Sequence, residues 1–217
     1  MKKILLKASI FALAVTLIAV FGSRVYSTTM AKRNLADLTK MAEVIFVGKM
    51  VGASDGLLNG RIPYTEYTFE VLESLKGDLP ATLGPFGARS TYKYRQLGLL
   101  KPRDMGNGKT LALTGKNIGG LPLYKNGETA LIFLGKSSPQ TGLRTTVGLM
   151  QGKFMIENGL AANAINNAGL FEGMNVPPSG TKLNNAEKAM MSRKAGALNA
   201  KTLIETVKRA VKDQIFE

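Results

Sequence analysis

Few residue types in this chain could perform catalysis. Its 217 residues include no histidine and no cysteine. This excludes Ser-His-Asp and Cys-His nucleophiles, metal sites built on either residue, and disulfide bonds. Two arrangements that could support hydrolysis remain, a pair of carboxylates and a serine activated by a lysine. No cofactor and no metal site is predicted.

Glu66 and Glu70 are the candidate carboxylate pair. They lie in a segment where apolar and polar residues alternate. A strand would therefore place both on one face, roughly 13 Å apart at about 3.3 Å per residue. Glycosidases hold their two carboxyl groups within about 5 to 9.5 Å of each other. The spacing favours an exposed sheet face over a hydrolytic site.

Ser90 and Lys93 match the Ser-x-x-Lys pattern, in which a lysine one helical turn away activates the serine. The Ser-Asp-Asn and Lys-Thr-Gly elements that accompany this pattern in penicillin-binding enzymes are absent, and the segment has no apolar helix face. The sequence therefore favours a non-enzymatic protein. A carboxylate- or Ser-Lys-dependent hydrolase is the alternative.

Positive charge is concentrated in the middle of the chain. The net charge is +14, and residues 83–120 hold seven bases and one acid. Cations interleaved with tyrosines can hold a polyanion, because the cations neutralise its charge while the rings stack or form hydrogen bonds. The competing interpretation is a solvated basic loop that aids solubility. The anion-binding candidates are Arg89, Tyr92, Lys93, Tyr94, Arg95, Lys101 and Arg103.

The first 27 residues have the pattern of a secretory signal peptide. A basic start precedes an uncharged, mostly apolar stretch at residues 8–21, and residues 25–27 suit a cleavage site. Cleavage would remove four bases and no acid, which lowers the net charge from +14 to +10. An uncleaved anchor is the alternative, since the stretch approaches the roughly 20 residues that span a bilayer. We predict an exported protein, periplasmic or secreted, that contacts the membrane only through this segment if it is uncleaved.

Export restricts the anions that the basic region would meet. An anionic envelope polymer, a lipid headgroup or an acidic glycan is expected, or a protein partner, rather than genomic nucleic acid. The predicted function is an exported binding module that acts through its basic loops. A further alternative is an interaction subunit that docks through its terminal helices.

The remaining segments predict a mainly β protein. Residues 44–47 and 130–134 are apolar on both faces, as central strands are, and residues 62–75 alternate like a half-exposed strand. Further strands are expected at residues 110–114, 144–150 and 153–157.

Helices are expected only near the two ends of the mature chain. One covers residues 28–43, with Asn34 as its N-cap, and the other is an amphipathic helix over residues 201–217 whose apolar stripe packs on the sheet. Residues 158–200 are rich in Asn, Gly and Pro and are interpreted as a linker. The pattern favours a small closed barrel of five or six strands over residues 44–157, with a β-sandwich as the alternative.

A joint pattern is formed by MAEVIFVGK at 41–49, YTEYTFEVL at 64–72 with LKG at 75–77, GGLP at 119–122, GE at 127–128, LIFL at 131–134, VGL at 147–149 and QGKF at 151–154. Through this pattern the chain resembles a widespread group of uncharacterised exported bacterial proteins over roughly residues 35–157. More distantly, it is similar to the OB-like domain of tissue inhibitors of metalloproteinases and netrin-type modules. The resemblance implies an OB-like barrel. It does not imply protease inhibition, because those modules inhibit through a disulfide-tethered cysteine and this chain has none.

Overall fold

The computed structural model describes residues 31–79, 90–174, 183–213 and 215–216. The predicted signal peptide over residues 1–27, the first part of the predicted N-terminal helix and the candidate Arg89 lie outside these residues. Within the described ranges, no helix combines the length and the apolar character needed to cross a bilayer.

A seven-stranded antiparallel sheet forms the centre of the protein, which confirms the predicted mainly β class. The described residues contain nine strands, of which seven belong to this sheet. They are β1 (Val44–Leu58), β2 (Ile62–Lys76), β3 (Thr91–Leu97), β4 (Arg103–Asp104), β5 (Thr110–Leu111), β6 (Thr129–Leu134), β7 (Lys153–Glu157), β8 (Leu160–Ala162) and β9 (Leu198–Asn199). Their order in the sheet is β3-β2-β1-β6-β7-β8-β9, while β4 and β5 form a separate hairpin.

Strands β1 and β2 form a long, bent hairpin, and the other strands of the sheet are added on both sides of it. The pairing register of β1 shifts at three places, two of which adjoin Gly48 and Gly52. Such bulges bend a strand and increase its twist, so β1 can pair with β2 along its whole length and with β6 near its start. In β2 the predicted alternation is confirmed, since Tyr67 and Phe69 are buried while the intervening residues are partly exposed.

Helices cover one face of the sheet. They are α1 (Leu35–Met41), α2 (Asn185–Met191) and α3 (Ala200–Asp213). The side chain of Asn34 accepts a hydrogen bond from the backbone N–H of Asp37 at 2.8 Å, which confirms the predicted N-cap. Leu203 and Val207 of α3 are fully buried against the sheet. The predicted packing of the C-terminal helix is therefore confirmed.

An aromatic cluster fills the other face. Tyr67 contacts the ring of Tyr124 with 4.8 Å between ring centroids, and Phe69 contacts Tyr124 at 5.1 Å. Rings in edge-to-face contact add attraction beyond the area they bury. The members of this aromatic cluster are Phe46, Tyr67, Phe69, Tyr92, Tyr94 and Tyr124.

The interpretation of residues 158–200 as a linker needs correction, because this segment contains β8, α2 and β9. Two of its asparagines form hydrogen bonds with the protein's own backbone. Asn163 donates to the Gln151 carbonyl at 3.1 Å, and Asn167 donates to the carbonyls of Ala161 and Gly196 at 3.0 and 2.9 Å. Both asparagines are buried, so their amides replace the hydrogen bonds that a regular ladder would supply.

The predicted strand over residues 144–150 is also corrected. Thr146 forms only an isolated bridge with Leu134, and a 3-10 helix covers Leu149–Gly152. The extended conformation ends because Gly148 and Leu149 have positive φ angles of 64° and 57°. The next predicted strand, residues 153–157, is confirmed as β7, and the strand expected at residues 110–114 is shortened to β5.

Residues 144–147 lie between β3 and β6. The Arg144 N–H donates to the Arg95 carbonyl at 2.9 Å, and the Val147 N–H donates to the Phe133 carbonyl at 2.8 Å. These contacts are too few to form a strand ladder. The ladders leave β3 and β9 as the two edges of the sheet.

Candidate anion-binding surface

The structure separates the predicted anion-binding residues. Successive residues of a strand face opposite sides of a sheet. Tyr94 therefore belongs to the buried aromatic cluster and Tyr92 is half-buried, whereas Lys93 and Arg95 of β3 face outward. Lys101 and Arg103 lie beyond β3, and both are exposed, Lys101 in a loop and Arg103 in β4. The described candidates thus form no single groove.

Lys93 and Arg95 share one carboxylate on the neighbouring strand. The Nε of Arg95 donates to Glu66 Oε2 at 2.9 Å, and the Lys93 ammonium lies 3.7 Å from the other oxygen. Arg95 also lies over the ring of Tyr64, 4.8 Å from its centroid. An anionic ligand would have to compete with Glu66 for both cations.

The residues proposed for hydrolysis do not converge. Glu66 is occupied by two cations and shares the outward face of β2 with Glu70. Ser90 continues into β3 in an extended chain, its carbonyl accepting from the Val71 N–H at 2.9 Å. Side chains three positions apart in an extended chain point to opposite faces. Lys93 therefore cannot activate Ser90. Within the described ranges, no three acidic or metal-binding side chains form a group that could hold a metal ion.

Arg144 organises a cleft that the sequence analysis missed. Its guanidinium, 9% exposed, donates to the Tyr92 hydroxyl at 2.7 Å and to Glu43 Oε1 at 2.5 Å. Burial raises the pKa of Tyr92, and the charge of Arg144 partly offsets that effect. The cleft has a volume of about 460 Å³ and is also lined by Lys93 and Asp78. Two bases face two acids here, which makes the cleft a weak site for an anion.

A second cleft, of about 660 Å³, is lined by residues of α1 and α3 and by Lys76. The Lys76 ammonium donates to the Thr39 carbonyl at 2.7 Å, at the C-terminal end of α1. Burial lowers the pKa of Lys76. Because a cation at this end of a helix binds carbonyls that lack partners, Lys76 has a structural role.

The described apolar stripe of the C-terminal helix is not available for docking. Leu203 and Val207 are fully buried, and Val211 packs against the same core. Docking through the C-terminal helix would require these side chains to be exposed.

Four of the basic side chains that face solvent lie in the segment between β3 and β6. We call residues 97–123 the loop cluster. Residues 101–110, which include the β4–β5 hairpin, are all exposed. Within the described part of the chain, none of the four bases of the loop cluster is in an ion pair, in contrast to Lys93 and Arg95. These four bases are Lys101, Arg103, Lys109 and Lys116.

Hydrogen bonds hold the base of the loop cluster to the β1–β2 hairpin. Both carboxylate oxygens of Asp55 accept from the Leu100 N–H, at 2.8 and 3.0 Å. The Thr65 hydroxyl lies 2.9 Å from Asp55 Oδ1 and from the Gly98 carbonyl oxygen. The Leu99 N–H donates to the Leu113 carbonyl at 2.9 Å, which joins the two ends of the exposed segment. The bases are therefore carried on an anchored loop.

Replacing Asp55 with alanine is expected to loosen the loop cluster. The change removes the acceptor of the Leu100 N–H and should lower the free energy of unfolding by about 1 to 2 kcal/mol. Hydrogen–deuterium exchange should increase at Leu100. Asp104→Ala is the control, because that carboxylate accepts from the Gly106 N–H within its own hairpin. Unchanged exchange at Leu100 in the Asp55 variant would contradict the anchoring role.

No family model, curated protein or solved structure matches this chain.

Proposed function

We propose that the protein is an exported, non-enzymatic binding module whose loop cluster binds an anionic component of the cell envelope. One observation carries the proposal: Lys101, Arg103 and Lys109 are exposed on or directly before one hairpin, in a loop anchored at its base, and are free of ion pairs within the described ranges. Asp104 is the only acid in the loop cluster.

Some of the bases outside the loop cluster are already paired with acids. Arg144 is paired with Glu43, Lys153 with Glu128, and Lys93 and Arg95 with Glu66. Like charges that are close together repel each other, and salt screens this repulsion only beyond about 8 to 10 Å. A cluster of unpaired bases is therefore a cost to the isolated protein that a bound polyanion would remove.

The proposal also includes export of the protein and the closure of its sheet into a barrel. The basic, then uncharged, start of the chain is the pattern that supports export. We also propose that the sheet closes into an OB-like barrel, with residues 144–147 completing the order β1-β2-β3-(144–147)-β6. The hydrogen bonds from Arg144 to β3 and from Val147 to β6 support this closure. Membership of the uncharacterised exported group remains part of the proposal and rests on the matching stretches.

Retention of the protein on immobilised heparin tests the proposed function. Neutralising the hairpin with Lys101→Gln, Arg103→Gln and Lys109→Gln should lower the eluting salt concentration. The slope of log affinity against log salt should decrease by roughly two to three, as expected when that many cations no longer displace counterions. The matched control, Lys194→Gln, Lys201→Gln and Lys212→Gln, removes the same charge from exposed positions outside the loop cluster.

Two results would reject the proposal. Equal shifts for the hairpin and control variants would show that only net charge matters. Failure of the unmodified protein to bind heparin at low salt would show that the loop cluster holds no polyanion. Far-ultraviolet circular dichroism should be unchanged in both variants, because all six positions are exposed.

A further inference from the structure

We propose that the anionic component is the surface of a lipid bilayer, into which apolar side chains of the loop cluster insert. This inference rests on the proposed function, and it identifies the class of partner. Nine large apolar side chains are exposed among the described residues, and five of them lie in the loop cluster, with exposed fractions of 37–46%. The five are Leu97, Leu100, Met105, Leu113 and Leu123.

Contacts within the loop cluster join the segments that carry these side chains. Hydrogen bonds between Leu99 and residues 113 and 115 place the end of β3 beside Leu113. The Leu123 side chain lies against Gly115, where an added Cβ would be only 2.8 Å from it. Met105 lies in the turn of the β4–β5 hairpin, where its N–H donates to the Lys109 carbonyl at 2.9 Å. The apolar residues are thus parts of one joined loop system.

The combination of apolar and basic side chains distinguishes a bilayer from a soluble polyanion. A soluble polymer offers negative charge but no apolar layer in which leucine and methionine could be removed from water. Interfacial membrane binding uses both, because apolar side chains enter the acyl boundary while lysine and arginine face anionic headgroups. Each basic residue near such a surface contributes roughly fivefold in affinity.

The arrangement of the hairpin matches this mode of binding. Lys101, Arg103 and Lys109 flank Met105 along an exposed segment whose ends are held by Asp55 and by the Leu99–Leu113 hydrogen bond. Lys116 lies in the same loop cluster, so headgroups would meet four bases and one acid. Charge complementarity therefore favours an anionic membrane surface over an uncharged apolar partner.

A local fluorescent probe tests the inference on the full chain. The uncharged stretch at residues 8–21 can itself enter a bilayer, so the readout must come from the loop cluster. Since the chain has no cysteine, Met105→Cys can be labelled at one position with an environment-sensitive dye. Met155→Cys, on β7, is the matched control, because its side chain is 43% exposed and that of Met105 is 46% exposed.

The labelled proteins are mixed with phosphatidylcholine vesicles, with or without phosphatidylglycerol. We expect a blue shift of the dye at position 105 only with phosphatidylglycerol, and none at position 155. Equal shifts at both positions, or no shift at position 105, would overturn the inference. A shift of equal size with soluble heparin would overturn the inference and assign the loop cluster to a polymer.

A charge-preserving variant separates this inference from the proposed function. Leu100→Ser with Leu113→Ser should weaken the position-105 response to vesicles about tenfold or more while leaving heparin retention unchanged. Val51→Ser with Leu160→Ser is the control, as both residues are exposed outside the loop cluster. Heparin retention without any vesicle response would reject the bilayer and preserve the proposed function. If the protein without these serine substitutions shows neither heparin retention nor a vesicle response, the proposed function and the bilayer inference are both rejected.

Discussion

Replacing Gly152 with alanine is expected to lower the free energy of unfolding by about 3 kcal/mol or more. This is one of the largest effects expected from adding a single methyl group to this protein. An added Cβ would lie 2.3 Å from the Val147 carbonyl oxygen and 3.2 Å from the Phe133 carbonyl oxygen. Both are backbone atoms, which cannot move aside as a flexible side chain can. The hydrogen bond from Val147 to Phe133, 2.8 Å long, joins residues 144–147 to β6 and would have to break or shift.

Gly119→Ala is the matched control for this substitution. No other atom lies within 4 Å of a Cβ at Gly119, and its φ is not in the positive region. Its effect on stability should therefore stay within roughly 0.5 to 1 kcal/mol in either direction. Urea denaturation of both variants measures the difference. Equal stability of the two would contradict the close approach of Gly152 to the Val147 carbonyl oxygen.

The central part of the fold is predictable because its signals are local. Strand β2 alternates residue by residue, so Tyr67 and Phe69 can be assigned to the core from sequence alone. The stripe on α3 has helical spacing, and its burial follows from the same reasoning. These patterns require no knowledge of which other segment they contact.

The errors occur where a residue's partner is distant in sequence. Asn163 and Asn167 are typical of loops by composition, yet they are buried because Gln151 and Gly196 supply their hydrogen-bond partners. Composition does not reveal that pairing. Positive φ at Leu149, which is not a glycine, likewise leaves no clear signal in the sequence, so the strand expected over residues 144–150 was wrong.

The candidate site, too, is predictable from local sequence only in part. The sequence locates the positive charge in the middle of the chain but cannot show which bases are neutralised. Arg95 faces Glu66 across the β2–β3 pair, and that register depends on tertiary structure. Lys109 and Lys116 are part of the counted charge, and the structure shows that they remain unpaired within the described ranges. The exposure of Met105 beside them was not predictable from hydropathy, because apolar residues usually indicate core positions.

The aromatic cluster is expected to make the protein lose stability steeply as the pH rises from 10 through about 12. Burial raises the pKa of Tyr67 to about 12 and is also the main cause of the raised pKa values of Tyr94 and Tyr124. An unfolded tyrosine ionises near pH 10. Between the two pKa values the folded chain retains protons that the unfolded chain has lost. The free energy of unfolding therefore falls as the pH rises through this interval.

Ultraviolet absorbance of tyrosinate and denaturation at a series of pH values measure this effect. Tyr67→Phe should reduce the alkaline loss of stability by about 2 kcal/mol, because the change removes one raised pKa from the folded state. Tyr64→Phe, on the outward face of β2, is the control for the loss of one tyrosine hydroxyl outside the aromatic cluster. If all tyrosines ionise together near pH 10 while the circular dichroism stays native, water reaches the cluster freely. That result would show that the aromatic cluster is exposed to water. It would contradict the close packing of the Tyr124 ring against those of Tyr67 and Phe69.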